Sequence, residues 1–464
     1  MRLINRLFPG FQLSTDQGRR DGRALMTSIA GISYRVVDAA LKLMIIPLAT
    51  HLLGIEKYGI WLTASSILSL LMVSDFGIGS GLINLVGSSA ARGDTRSVRS
   101  FTATAYLAFF ILACSLITGV GFLSRSAVLP HWIGINGANT SLVSQSRHLF
   151  VIMGCLVASA ALFNVVNFFA SALQEGYLAH AAQIAASLTA LICIFHLRSG
   201  SMENFALASS LPILCAYLLL SVYVFGFRHR ALAPDFRSVN FAHFRIIWHD
   251  SSRLLIATIA DTVIAFTSNV LVATQLGASI VPEVSVSLQV MMIFNFVSCM
   301  FILPLWPAYV EAAVRDDWPW IRTALWRGVF RSVGAMVFGT LCYTLVYRLF
   351  IHTWSSVLPI PPLSFVLALD VWFLIYVWNK NPMVLLNALG FTSVRAWVAP
   401  LAAGVFIGTA VILLPKVGII AIPLAGIAGA LVEASITSFK ALSLLSDRKM
   451  RFAISQEVTL VPEG

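Results

Sequence analysis

The stretch SYRVVDAALKLMIIP, residues 33–47, sets Arg35, Asp38 and Lys42 into an otherwise apolar run. Steps of three and four residues place all three on one face of a helix. Two cations and one acid leave that face net positive, which suits an anion. A second basic element is VWNKNPM, residues 377–383, where Asn379, Lys380 and Asn381 precede Pro382. Asp75 and Asp261 add acids to apolar surroundings, and Asn164, Asn167, Gln289 and Asn295 add neutral polar groups. Arg253 stands near the start of another apolar run, where it either marks topology or sits at the mouth of a cavity.

The elements that must position these residues follow from composition. Of 464 residues, 58% are hydrophobic and 11% charged. A soluble domain carries roughly 25% charged residues, so much of this surface faces something other than water. Apolar runs long enough to cross a bilayer as helices recur through the chain. We read twelve spans, at about 24–50, 58–86, 101–123, 148–173, 177–197, 204–227, 252–275, 284–309, 325–350, 363–388, 394–415 and 418–443. The expected fold is an all-α integral membrane protein of about twelve transmembrane helices. A basic cytoplasmic segment (1–23) leads into a first lobe (24–230). A linker and second lobe (231–443) and a cytoplasmic tail (444–464) follow. No secretory signal peptide is expected, because the first apolar run is too long and lacks a small-residue cleavage site.

Most Lys and Arg residues fall in segments on the same side as the N-terminus, among them Arg19, Arg92, Arg228, Arg322 and Arg448. The positive-inside rule then puts both termini in the cytoplasm. It also accounts for the net charge of +11 without nucleic acid, and implies attraction to anionic membrane lipids. MRLINRLF at the N-terminus could lie on the membrane as a short basic amphipathic helix or be disordered. The six cysteines fall inside spans and form no CxxC pair, so packing is expected of them rather than disulfides or zinc.

SDFGIGSGLINLVG, residues 74–87, invites comparison with a phosphate-binding loop. A dinucleotide fingerprint needs G-x-G-x-x-G between a strand and a helix. Here the spacing is G-x-G-x-G within an apolar helical run, so the glycines are expected to serve close helix approach or bending. Asp75 beside them is expected to face an interior cavity, since a carboxylate at membrane depth is costly. Pro304 and Pro307 are expected kinks.

The chain repeats internally. At one constant offset Asp38 meets Asp261, Gly54 meets Gly277, Arg92 meets Arg315, Asp94 meets Asp317 and Arg99 meets Arg322. At a slightly shifted offset Asn167 meets Asn381 and Gly176 meets Gly390. Six spans per repeat give two six-helix lobes inserted in the same direction, related by a pseudo-twofold along the membrane normal. Transporters so built carry substrate between halves that alternate access. Arg35, Lys42, Lys380 and Arg253 are then candidate substrate-binding cations. Asp38, Asp75 and Asp261 are candidate coupling or ion-pair groups, and Asn164, Asn167, Asn295 and Asn381 candidate polar lining.

Residues 47–99 resemble the first two spans of bacterial polysaccharide transporters. The carriers of that resemblance are Pro47, Leu53-Gly54, Tyr58-Gly59, Asp75-Phe76-Gly77-Ile78-Gly79-Ser80 and Gly93-Asp94, with ALQEGY at 172–177 similar to the family's span 4–5 turn. The family is the Wzx-type O-antigen flippases of the multidrug/oligosaccharidyl-lipid/polysaccharide (MOP) superfamily. The resemblance implies two six-helix lobes with a cationic cavity. It implies flipping of undecaprenyl-pyrophosphate-linked oligosaccharide across the bacterial cytoplasmic membrane by alternating access, with polymerase and other assembly proteins as candidate partners. The second half departs from the pattern: Val281 replaces the tyrosine, and Ser298 stands opposite Asp75. No enzymatic activity and no cofactor are expected. No P-loop is present, so coupling would fall to H⁺ or Na⁺. The rival readings are a multidrug or metabolite exporter of the same superfamily and a polysaccharide polymerase or ligase.

Overall fold

The structure, a computed structural model, describes residues 16–72, 78–135, 140–198, 200–239, 241–354 and 357–446. Within these, side chains are described except at 16–25, 28, 71, 72, 80, 236, 241–255 and 257. The expected N-terminal amphipathic segment lies outside the described residues.

The helices, in order, are α1 (Asp16–Leu53), α2 (Ile55–Met72), α3 (Ile78–Ala91), α4 (Thr95–Arg125), α5 (Val128–Trp132), α6 (Thr140–Phe163), α7 (Val165–Ala172) and α8 (Gly176–Phe195). They continue as α9 (Met202–Tyr223), α10 (Phe241–Leu276), α11 (Val281–Cys299), α12 (Leu305–Val314), α13 (Trp318–Trp354), α14 (Leu363–Ala388), α15 (Thr392–Val417) and α16 (Ala421–Ser446). No strand occurs among the described residues. Ten segments are long and apolar enough to cross a membrane. One of them holds both α15 and α16, and the apolar pair α2 and α3 is not among the ten. The helices are thus consistent with twelve crossings. Phe330 is 83% exposed and Phe122 81%. Large aromatics so presented suit hydrocarbon rather than water, and the protein is a multi-pass membrane protein.

Two compact units result. The first comprises residues 1–53, 74–129 and 139–252, the second 54–73, 130–138 and 253–464. Helix α2 therefore packs in the second unit. In the first, α8 packs on α1 and α9, and α6 on α4 and α9. In the second, α16 packs on α14 and α15, α13 on α11 and α14, and α2 on α11.

Local structure gives the sequence repeat its physical content. Gly54 and Gly277 both take positive φ, 76° and 96°, where α1 and α10 end. That conformation is open to glycine and strained for other residues. Asp94 accepts a hydrogen bond from the Ser97 backbone N–H at 3.0 Å, and its mate Asp317 accepts one from that of Trp320 at 3.1 Å. Each thereby satisfies an orphan donor at the start of α4 or α13. The charged matches thus include two equivalent helix caps.

The glycines of α3 serve close approach. A Cβ on Gly79 would run into the Phe168 ring of α7. Gly79→Ala is expected to destabilise the protein by about 1–3 kcal/mol through overpacking, read as a lower melting temperature in detergent; an unchanged melt would show that Phe168 gives way freely. Gly59 is seated more tightly, its Cβ position overlapping the Ala278 backbone carbonyl within the second unit. At Pro304 and Pro307 the chain breaks rather than kinks. Helix α11 ends at Cys299, turns occupy 300–304, and Pro304 caps α12. Pro307 lies in the first turn of α12, where a missing N–H costs no intrahelical bond.

Candidate functional site

In the first unit a polar network joins four spans. On α1, Asp38 pairs with Lys42 at 2.8 Å and accepts a hydrogen bond from Ser187 of α8 at 3.4 Å. Tyr34, one turn earlier, stacks on His180 of α8. His180 meets Gln183 at 3.2 Å, and Gln183 donates to the Tyr217 hydroxyl of α9 at 3.2 Å. Tyr217 in turn lies beside Asn167 of α7, whose amide donates to Asn164 at 2.6 Å. Asn164 is the single residue between α6 and α7, so the fourth span changes course where its polar groups gather. The side chain of Arg35 is exposed on the face it shares with Asp38. Lys42, one turn on, is an ion-pair partner of Asp38.

In the second unit the charges are denser. Asp261 of α10 accepts a hydrogen bond and ion pair from Arg395 of α15 at 2.5 Å, and both are substantially buried. Lys380 of α14 places its ammonium 4.3 Å from the centre of the Tyr376 ring and within the electrostatic reach of Asp261 and Arg395. Glu433 of α16, only 6% exposed, lies beside Asn379 and feels Lys380, Asp261 and Arg395. Thr437 donates to Asn379 at 2.6 Å. Two cations and two carboxylates thus meet between α10, α14, α15 and α16, formally balanced. The repeat mates behave alike: Asp38 reaches the fifth span of its own unit, α8, and Asp261 reaches the corresponding α15.

The other sequence candidates are more local. Asn381 is buried and donates to Ser332 at 3.0 Å and to the Val377 carbonyl at 3.1 Å, bracing α14 against α13. Asn295 is half-buried and accepts from Cys299 one turn on in α11. Asp75 lies outside the described residues, as does the side chain of Arg253.

Arg395, Tyr376 and Glu433 were not among the sequence candidates, nor were two further buried acids, Glu283 and Asp370. Asp370 accepts from Thr344 at 2.5 Å. A signal existed for the acids, since each is a lone carboxylate in or at the end of an apolar span. Arg395 carried none, because an arginine in the first turn of a span reads as a topology marker.

At the α7–α8 turn, within ALQEGY, Glu175 is buried and takes two 2.8 Å hydrogen bonds from Arg228 and one of 3.0 Å from His229. Burial opposes its ionisation, but these bonds outweigh burial and hold its carboxyl below the usual range. A depressed carboxyl pKa contributes stability above the unfolded value of about 4.3 and loses it as pH falls through the folded one. Glu175→Gln is expected to cost about 2–4 kcal/mol at neutral pH and to flatten the acid limb of detergent melting curves. An acid limb identical to wild type would mean the latch does not act through charge.

No protein-family model matches the chain. It is 22% identical over 389 residues to a Salmonella typhi protein described as "Putative O-antigen transporter", covering 82% of this chain and 87% of that one. A protein of the same description from Salmonella typhimurium is 22% identical over 382 residues, covering 81% and 86%. Among solved structures, an inward-facing multidrug MATE transporter of the MOP superfamily superposes with a TM-score of 0.75 at 12% identity, covering 90% of this chain and 96% of that one. The lipid II flippase MurJ, inward closed, gives 0.68 at 11% identity, covering 94% and 91%. The chain therefore has the two-lobed all-α fold of these transporters.

Proposed function

We infer that the chain is a Wzx-type flippase of the MOP superfamily. It carries polyprenyl-pyrophosphate-linked oligosaccharide, undecaprenyl in its carrier, across the bacterial cytoplasmic membrane for O-antigen, capsule or exopolysaccharide assembly. The observation that carries this reading is the meeting of Lys380 and Arg395 inside the helix bundle of a chain whose sequence likeness to O-antigen transporters runs over four fifths of its length.

The chemistry follows from that pairing. An empty carrier cannot hold uncompensated cations in a medium of low dielectric. Asp261 and Glu433 act as resident counter-ions. A pyrophosphate displaces Asp261 from Arg395 and takes charge-assisted hydrogen bonds from Arg395 and Lys380. On release to the far side the carboxylate returns. The exchange leaves Arg395 with an anionic partner at every stage of an alternating-access cycle. Protonation or Na⁺ binding at Asp38, Asp75 or Asp261 would couple the cycle to an ion gradient, and both termini would be cytoplasmic.

The second reading, a multidrug or metabolite exporter, is favoured by the superposition on a MATE transporter and disfavoured by the two cations. Depletion of the protein in its host, with mass spectrometry of polyprenyl-linked intermediates, separates the readings. Accumulation of complete oligosaccharide on its lipid pyrophosphate, shielded from external reagents, is expected. Truncated oligosaccharides would return the polymerase or ligase reading, and an unchanged profile the exporter.

A further inference from the structure

The second unit carries a groove of about 940 Å³ on α13, closed on one side by Trp378 of α14. Trp326, Phe330 and Val337 line its apolar length, and Arg322, Arg327 and Arg331 line it too, spread along α13. From Arg322 to Val337 it follows α13 for about 22 Å at 1.5 Å per residue. Trp326 meets Trp378 edge-on, and the Trp378 indole donates to Ser438 of α16, which fixes the wall. Trp378 and Lys380 are two positions apart, so they point about 200° apart around α14. The groove is therefore separate from the cluster around Lys380.

Its three arginines meet no acid among the described residues. Helix α13 contains no Asp or Glu in 37 residues. Among the described residues no carboxylate lies within ion-pair distance of Arg322, Arg327 or Arg331, while Arg315, in the turn before α13, is paired with Glu311. The repeat sharpens the contrast. Arg99, the mate of Arg322, donates to the Ala233 carbonyl at 3.1 Å and pairs with Asp235, and Ser100 beside it donates to the Ser238 carbonyl at 2.6 Å. In the first unit the interdomain linker thus covers this position. In the second unit Thr323, the mate of Ser100, turns back to its own helix at the Pro319 carbonyl, and Arg322 faces the groove.

We propose that this groove binds an anionic phospholipid of the bilayer, its phosphate on Arg327 and Arg331, one turn apart on α13, Arg322 adding positive charge at the N-terminal end of the groove, and an acyl chain along Phe330 and Val337. Basic pockets between transmembrane helices are suited to such headgroups. The apolar walls and the unanswered charge together select an anionic lipid over a zwitterionic one. The chain past Ser446 is a poor alternative occupant, because it opens with Asp447, Arg448, Lys449 and Arg451, a net positive start.

The test uses full-length protein in detergent, incubated with phosphatidylglycerol or phosphatidylcholine, with retained lipid counted by native mass spectrometry. Gly334 lines the groove, and a Cβ there meets nothing within 4 Å. Gly334→Leu therefore starts from open space at its Cβ and extends a side chain into the groove. The wild type is expected to retain phosphatidylglycerol in preference to phosphatidylcholine. Gly334→Leu should abolish retention with melting temperature and helix content preserved, and each Arg→Gln change should weaken it about fivefold. Equal retention of the two lipids, or wild-type retention by both Gly334→Leu and the triple Arg→Gln variant, would overturn the proposal. So would preferential retention of a polyprenyl phosphate, or lipid binding only after truncation at Ser446, which would identify the tail as the occupant.

Discussion

Asp261→Asn is expected to cost more stability than the double change Asp261→Asn/Arg395→Gln. The Asp261–Arg395 pair is 2.5 Å long, with side chains only 28% and 16% exposed. Removing one partner strands the other charge where water reaches it poorly, at about 2–4 kcal/mol after allowance for the residual exposure. Removing both leaves two amides of similar shape and no stranded ion, and the cost falls. Lys380 sharpens the asymmetry. With Asp261 neutral, Arg395 and Lys380 face each other with Glu433 as the remaining counter-charge. Arg395→Gln alone should cost less than Asp261→Asn, because Lys380 remains beside the aspartate. Thermal unfolding of the four proteins in one detergent closes the cycle, with a coupling of about 1–3 kcal/mol expected for directly bonded residues. Simple additivity would mean that the two groups do not act as a unit, and the counter-ion exchange would lose its basis.

What the sequence made legible, and what it did not, divides along physical lines. Crossing a bilayer demands long apolar helices, and composition alone exposes them. The caps at Asp94 and Asp317 and the bends at Gly54 and Gly277 were legible as repeat matches, because a local backbone requirement restricts the residue type at one position. Lys380 stood out because an ammonium in an apolar run is costly. Its surroundings did not stand out. Arg395 is 134 positions from Asp261, and nothing within the span of either names the other. Glu433 offered a lone carboxylate, but only packing of α16 on α14 brings it to Asn379. The seat of Gly59 on Ala278 is a tertiary contact between apolar neighbours, and apolar helices carry no mark of which partner they will choose.

Lys380→Gln is expected to remove transport while the protein reaches the membrane at normal levels. The ammonium is held over the Tyr376 ring at 4.3 Å, an attraction of about 1–2 kcal/mol once partly desolvated. Its loss should therefore be tolerated by the fold, the more so because Tyr376 remains packed. Its loss to function should be larger. Without Lys380 the cluster is formally one charge negative, with Asp261 and Glu433 against Arg395 alone, and an entering pyrophosphate meets repulsion in place of a donor. One charge-assisted hydrogen bond is worth about 1.5–3 kcal/mol, so substrate affinity should fall roughly ten- to hundredfold. Lys380→Arg restores the charge and should recover transport in part, since the guanidinium is longer and planar. The readout is surface polysaccharide in a deletion host expressing each variant, normalised to membrane protein, together with lipid-linked oligosaccharide inside. Wild-type display by Lys380→Gln would remove this cation from the substrate path. Failure of Lys380→Arg alongside Lys380→Gln would show that the shape over Tyr376, rather than the charge, is what the site requires. A Tyr376→Phe variant then discriminates further. The phenyl face keeps the cation attraction while the hydroxyl is gone, so retained transport in that variant assigns the requirement to the ring face under the ammonium and not to the hydroxyl.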